Sequence, residues 1–158
     1  MNFLVKKSAS LRGEIDIPGD KSISHRAIML ASLSEGRCEI SGLLEGEDCL
    51  ATIEVFRKMG VKISSNEGVY YIEGNGIKGL KQPIAPLDFG NSGTSIRLCS
   101  GVLSAQNFPT TLIGDSSLSS RPMQRIVEPL TLMGAKTVSY THLRAHETDS
   151  YLVCRLLL

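Results

Sequence analysis

The residues best placed to do chemistry are Pro18-Gly19-Asp20-Lys21-Ser22-Ile23-Ser24-His25-Arg26. A glycine-bearing turn there opens a segment with helical periodicity, Ser22 to Leu33. The first turn of a helix leaves backbone N–H groups without partners and carries partial positive charge. Lys21 adds a point charge, Ser22 and Ser24 add hydroxyls, and Arg26 adds a fork one turn on. That set of groups suits phosphate or carboxylate. The competing reading makes Asp20 or Ser22 an ordinary N-cap, with Lys21 and Arg26 solvated. A P-loop is excluded, because Asp20 stands where that motif needs the glycine directly before Lys-Ser.

Two further stretches have the same character. Gly90-Asn91-Ser92-Gly93-Thr94-Ser95-Ile96-Arg97 opens a second helical pattern running to about Ala105. Gly90 and Gly93 permit close backbone approach or positive φ there, while Asn91, Ser92 and Thr94 add neutral donors and acceptors. Ser119-Ser120-Arg121-Pro122 reads as a third helix mouth, with Pro122 in the first turn of a helix Arg121–Met133. Arg121 is the residue type suited to bidentate capture of a carboxylate. Three such mouths on one chain point to a shared anionic cleft.

The elements that must hold these groups alternate. Strands are expected at Phe3–Lys6 and Gly13–Ile17, then the helix Ser22–Leu33, a strand Arg37–Ser41 and a helix Asp48–Met59 closed by Gly60. Val61–Ser64 and Val69–Glu73 alternate around Ser65-Asn66-Glu67-Gly68, a hairpin pattern. After the helix at Gly90 come a strand Thr110–Ile113 and the helix ending before Gly134. The fold class is therefore α/β (α+β). Placing Gly19 over Gly90 sets Ser24 over Ser95 and Arg26 over Arg97. At nearly the same offset, Met59-Gly60-Val61-Lys62 falls on Met133-Gly134-Ala135-Lys136. Two separate landmarks indicate a duplicated βαβαββ unit.

Bulk properties narrow the class. The 158 residues are 42% hydrophobic and 21% charged with a net charge of +1. These values fit a globular chain and argue against a general nucleic-acid binder, which carries a large basic excess. Cys38, Cys49, Cys99 and Cys154 are widely spread with no CxxC pair, so reduced thiols and a cytoplasmic setting are expected. The N-terminus lacks the apolar region of a signal peptide, and no apolar run reaches transmembrane length.

The motifs Pro18–Arg26, Leu87-Asp88-Phe89-Gly90-Asn91-Ser92-Gly93-Thr94 and Ser119-Ser120-Arg121-Pro122-Met123 resemble the 5-enolpyruvylshikimate-3-phosphate synthase family. The resemblance runs from about Leu11 to Val138. Asp20 and Gly42-Leu43-Leu44-Glu45-Gly46-Glu47-Asp48 are similar to the bacterial class II form. The related UDP-N-acetylglucosamine enolpyruvyl transferase shares the fold but carries Asn after the first-motif Lys. A binding module that only holds a phosphorylated metabolite is the non-enzymatic alternative.

The resemblance implies enolpyruvyl transfer from phosphoenolpyruvate to the 5-hydroxyl of shikimate 3-phosphate, with no metal or organic cofactor. By position it assigns Lys21, Ser22 and Arg26 to shikimate 3-phosphate. Lys21, Gly93 and Arg121 fall to phosphoenolpyruvate, while Asn91 and Thr94 shape the pocket. Lys21, between two anions, would lessen their repulsion and act catalytically in that sense. The implied architecture is an inside-out α/β barrel of two domains, each with three βαβαββ units. Residues 1–18 would pair with the second domain, and residues 19–138 would form two units of the first, the second of them incomplete. The implied parent is monomeric, with no nucleic-acid or membrane partner. It would be sensitive to glyphosate, because Gly93 leaves room that an alanine would fill.

Two departures stand out. The family's principal acid–base carboxylates belong to the second domain and have no counterpart here, so the chain alone is expected not to turn over. From about Ser139 the text leaves the family pattern and is similar to read-through of a sequencing adapter. A metal site from His142, His146, Glu147 and Cys154 is rejected in favour of a non-native tail, 139–158.

Overall fold

A computed structural model describes residues 3–7, 10–139 and 152–156 of the chain. The elements are α1 (Lys21–Leu33), β1 (Glu35–Ile40), α2 (Glu47–Lys58), β2 (Lys62–Asn66), β3 (Val69–Asn75), β4 (Leu87–Asp88), α3 (Gly93–Ser104), β5 (Thr110–Ile113), α4 (Ser116–Ser119), α5 (Gln124–Leu132), β6 (Ala135–Ser139) and β7 (Leu152–Leu156).

Two sheets carry these strands. The first has the order β1-β3-β2 and is antiparallel throughout. The second has the order β4-β5-β7-β6, with β4 and β5 parallel and the other pairs antiparallel. Its β5-β7-β6 part repeats the arrangement of β1-β3-β2. The same chain order of helices accompanies each, so α1 corresponds to α3 and α2 to α5. Gly60 and Gly134 close α2 and α5 at φ +86° and +96°, a left-handed C-cap that glycine adopts without Cβ strain. The matched caps agree with the duplication read from Met59-Gly60 and Met133-Gly134.

The first sheet is two-faced, as period-2 strands with one covered face must be. Ile63, Tyr70 and Ile72 are buried beneath α1 and α2, which contribute Ile28, Met29, Ile53, Val55 and Phe56 to the same core. The outer face is polar. Lys62 Nζ meets Glu73 at 2.9 Å across the β2–β3 register, and the Arg37 guanidinium sits 4.4 Å over the Tyr71 ring. The hairpin turn is only Glu67-Gly68, both at positive φ, as a two-residue connection with right-handed strand twist requires.

Three expectations change. No strand forms at Phe3–Lys6 or Gly13–Ile17; both segments lie in the described irregular backbone, with Phe3, Ile15 and Ile17 exposed. Apolar alternation alone does not make a strand, because the backbone groups need an edge to pair with. The helix expected at Arg121–Met133 is divided into α4 and α5. Asp115 caps α4 by accepting from Leu118 N–H at 2.7 Å, and Arg121 precedes Pro122, which disfavours helical geometry. Helix α5 therefore starts at Gln124. The short strand β4 was not foreseen. His142, His146 and Glu147 lie outside the described residues.

The alternation of β3 gives a direct test. Ile72→Ala should cost about 2–5 kcal/mol in urea denaturation, as core truncations do. Tyr71→Ala, one residue away on the outer face, should cost less than about 1 kcal/mol. Equal losses would contradict this register.

Candidate functional site

The entry to α1 is fixed before any charge is considered. A Cβ on Gly19 would lie 2.1 Å from the Gly42 carbonyl oxygen, so only glycine lets this turn press against the loop after β1. Ser24 Oγ accepts from Leu44 N–H at 2.9 Å and ties the same loop to the helix. Asp20 is the N-cap, accepting from Ile23 N–H at 2.8 Å. The capping reading of Asp20 is thus correct, and it coexists with a charged helix start.

Lys21 does not stand free. Its Nζ donates to Asp48 Oδ2 at 2.8 Å, and this carboxylate lies in the first turn of α2. Half the Lys21 side chain remains exposed. The Asp48 hydrogen bond and charge raise the lysine's proton affinity, and the Arg121 charge opposes them. Arg26 is exposed and folds back along its own helix, with Nη1 donating to the Ser22 carbonyl at 3.0 Å. Ser22 and Arg26 therefore share one face of α1, as i,i+4 spacing requires.

At the second helix start, Ser92 caps α3 by accepting from Ser95 N–H at 3.3 Å. Asn91 Nδ2 donates to Asp115 Oδ2 at 2.7 Å, and Asn91 Oδ1 accepts from Arg121 Nη2 at 2.5 Å. The Asn91 hydrogen bond, then the Leu118 N–H, hold the Asp115 carboxyl below the usual carboxylate range. The Arg121 guanidinium lies over Gly93, where an added Cβ would meet Nη1 at 2.7 Å. Thr94 follows, half-buried in the first turn of α3.

The structure therefore brings Arg121 onto Gly93, with Asn91 as the strut that aims the arginine, and the arginine's charge acts on Lys21. Arg121 itself is a correction: it occupies the bend between α4 and α5 instead of a helix mouth, and reaches α3 through its long side chain. Arg97, the repeat counterpart of Arg26, is turned away toward the Pro122 carbonyl at 3.4 Å. The duplication is thus structural at that position. Asp48 and Asp115 were missed by the motif reading. The signal was present in Asp48, since acidic residues gather in the first turn of helices. Clefts of about 680 and 480 Å3 on the first sheet, near Arg37 and Lys62, contain none of the expected site residues. Among the described residues no group of three or more His, Cys, Asp or Glu could hold a metal ion.

Beneath Lys21 lies His25, fully buried, with Nδ1 2.8 Å from Thr52 Oγ1. Burial, chiefly, pushes its pKa below the ordinary imidazole value; the Asp48 charge opposes this, and the Lys21 and Arg26 charges assist it. The unfolded chain then binds the proton more readily than the folded one. Stability conferred by neutral His25 is complete above about pH 6.5 and falls as pH drops toward the lowered folded value. Between pH 7.5 and 5 the melting midpoint of the wild type should fall further than that of His25→Asn. His142 and His146 are common to both proteins and cancel in the difference. Parallel curves would remove His25 as the cause.

The comparisons with known proteins give the family and the fold. The family model for EPSP synthase (3-phosphoshikimate 1-carboxyvinyltransferase) matches residues 5–146. The chain is 59% identical over 133 residues to a 3-phosphoshikimate 1-carboxyvinyltransferase of Ruthia magnifica subsp. Calyptogena magnifica, covering 84% of this chain and 31% of that protein. It is 57% identical over 136 residues to the enzyme of that name from Alkalilimnicola ehrlichii, covering 85% and 30%. A solved EPSP synthase from Acinetobacter baumannii superposes with a TM-score of 0.81 at 48% identity, over 90% of this chain and 32% of that one. The chain thus spans about 31% of the length of the curated relatives it matches. Both helix starts and Arg121 fall inside the matched region, and the chain belongs to the EPSP synthase (3-phosphoshikimate 1-carboxyvinyltransferase) family.

Proposed function

We propose that the chain supplies one wall of a site that transfers the enolpyruvyl group of phosphoenolpyruvate to the 5-hydroxyl of shikimate 3-phosphate. The observation that carries this reading is the Arg121 guanidinium held by Asn91 over Gly93 at the start of α3, with its charge acting on Lys21 at the start of α1. Two polyanions bound side by side repel, and cations between them offset that repulsion. Ser22, Arg26 and Lys21 hold shikimate 3-phosphate along α1. Lys21, Arg121 and the close backbone approach at Gly93 hold phosphoenolpyruvate, and Asn91 and Thr94 shape that pocket. An alanine at Gly93 would crowd Arg121, which supports glyphosate sensitivity of the complete protein.

Binding and chemistry separate in this chain. Asp48 is engaged with Lys21, and Asp115 is held ionised by Asn91 and Leu118 N–H. A proton donor for the transfer is therefore not supplied by either carboxylate. We assign the acid–base groups to the remainder of the protein, where residues 1–18 would also find a strand partner. Residues 139–158 are read as non-native, although the family match runs to residue 146 and the backbone of β7 pairs within the second sheet. The complete protein is read as a cytoplasmic monomer. No helix among the described residues is long and apolar enough to cross a membrane.

Calorimetric titration tests the assignment. The chain should bind shikimate 3-phosphate in preference to UDP-N-acetylglucosamine and release no phosphate when phosphoenolpyruvate is added. Lys21→Ala and Arg26→Ala should each weaken binding about tenfold or more, the scale of a lost charged hydrogen bond. Unchanged affinity in Lys21→Ala would remove Lys21 from the site, and steady phosphate release would overturn the division between binding and chemistry.

A further inference from the structure

Lys21 and His25 lie one helical turn apart on α1, and Asp48 and Thr52 lie one turn apart on α2. The two helices are joined by both pairs, like rungs. The outer rung is the Lys21–Asp48 ion pair at 2.8 Å, half exposed. The inner rung is His25 Nδ1 to Thr52 Oγ1 at 2.8 Å, wholly buried. Thr52 continues to α3, where Ser95 Oγ lies 2.6 Å away. Ser95 is the residue whose N–H is capped by Ser92, directly before Gly93.

Counting protons fixes the direction of this network. Thr52 has one hydroxyl proton, and the Asp48 carbonyl at 3.1 Å can only accept it. With that proton donated to the Asp48 carbonyl, Ser95 and His25 both donate to Thr52 Oγ1. A neutral imidazole carries one proton, so His25 has it on Nδ1 and leaves Nε2 as an acceptor. That nitrogen is buried without a hydrogen-bond partner among the described residues. A buried acceptor left alone is the less costly of the two orphans, since genuinely unpaired buried N–H groups are rare.

We infer that His25 is a positioning residue whose bond to Thr52 keeps α1, α2 and α3 in register when a ligand draws Lys21 away from Asp48. An anion that takes the lysine opens the outer rung, and only the inner one then holds the two helix starts at their working separation. The ligand in this statement rests on the enolpyruvyl-transfer reading; the register itself does not.

Three variants test it. His25→Asn keeps a donor near the Nδ1 position, His25→Phe keeps the ring without it, and Thr52→Val removes the acceptor at constant shape. Shikimate 3-phosphate affinity, measured well below each melting temperature, should fall about tenfold in His25→Phe and Thr52→Val. It should stay within about threefold of wild type in His25→Asn, and the double variant should be no worse than the weaker single one. Lowered stability with wild-type affinity in His25→Phe would reduce His25 to a core residue and overturn the inference. Long-range 1H–15N spectra should show the proton on Nδ1; a proton on Nε2 alone would also overturn it. Should the wild type bind no shikimate 3-phosphate, the functional reading fails while the register is still decided without ligand. The Lys21 and Ser95 amide resonances then must move in His25→Phe and stay in His25→Asn, and unmoved resonances in His25→Phe refute the role.

Discussion

Two like charges held at neighbouring helix starts are the constraint on which this structure turns. Lys21 sits at the start of α1, the Arg121 side chain reaches over the start of α3 from the bend before α5, and the two charges repel. The surroundings offset that repulsion with carboxylates kept just behind the cations. Asp48 faces Lys21 directly, and Asp115 acts on Arg121 through Asn91. Such an arrangement keeps the charges of Lys21 and Arg121 within reach of each other without burying either residue. It also explains why the chain needs acidic residues at positions that no anion-binding motif would contain.

The repeated fold serves this placement. Each unit sets a helix start beside the end of a sheet, and the packing of α1, α2 and α3 brings two such starts to one side of the molecule. The glycine at Gly19 allows the α1 turn to lie against Gly42, and the glycine at Gly93 leaves space for Arg121. The second unit keeps the strand order of the first although β7 lies beyond residue 146, where the family match ends. A gap between β5 and β6 presents unpaired backbone on both sides, and a short strand of sufficient β propensity satisfies it with little demand on side-chain identity.

Buried polarity provides the rigidity. The His25–Thr52–Ser95 network spans three helices and is shielded from water, where a hydrogen bond is hardest to replace. An exposed ion pair such as Lys21–Asp48 contributes little to stability and exchanges readily with a ligand. The division is physically useful: the exposed contact can open while the buried one persists.

The helix start at Lys21, the caps at Gly60 and Gly134, the β2–β3 hairpin and the repeat between them were all legible in the sequence, because each depends on local backbone preference and short-range spacing. The three motifs and their residue types were legible for the same reason. Only the tertiary structure decided that residues 13–17 form no strand, since a strand needs an edge that spacing cannot supply. It alone placed Arg121 in a bend and swung its side chain over Gly93, because the break at Pro122 and the cap at Asp115 act against an apolar periodicity that continues through them. It alone paired Lys21 with Asp48 and His25 with Thr52, contacts between residues 27 apart that depend on how two helices pack. The sequence by itself determined which groups could meet an anion; helix packing determined which of them meet each other.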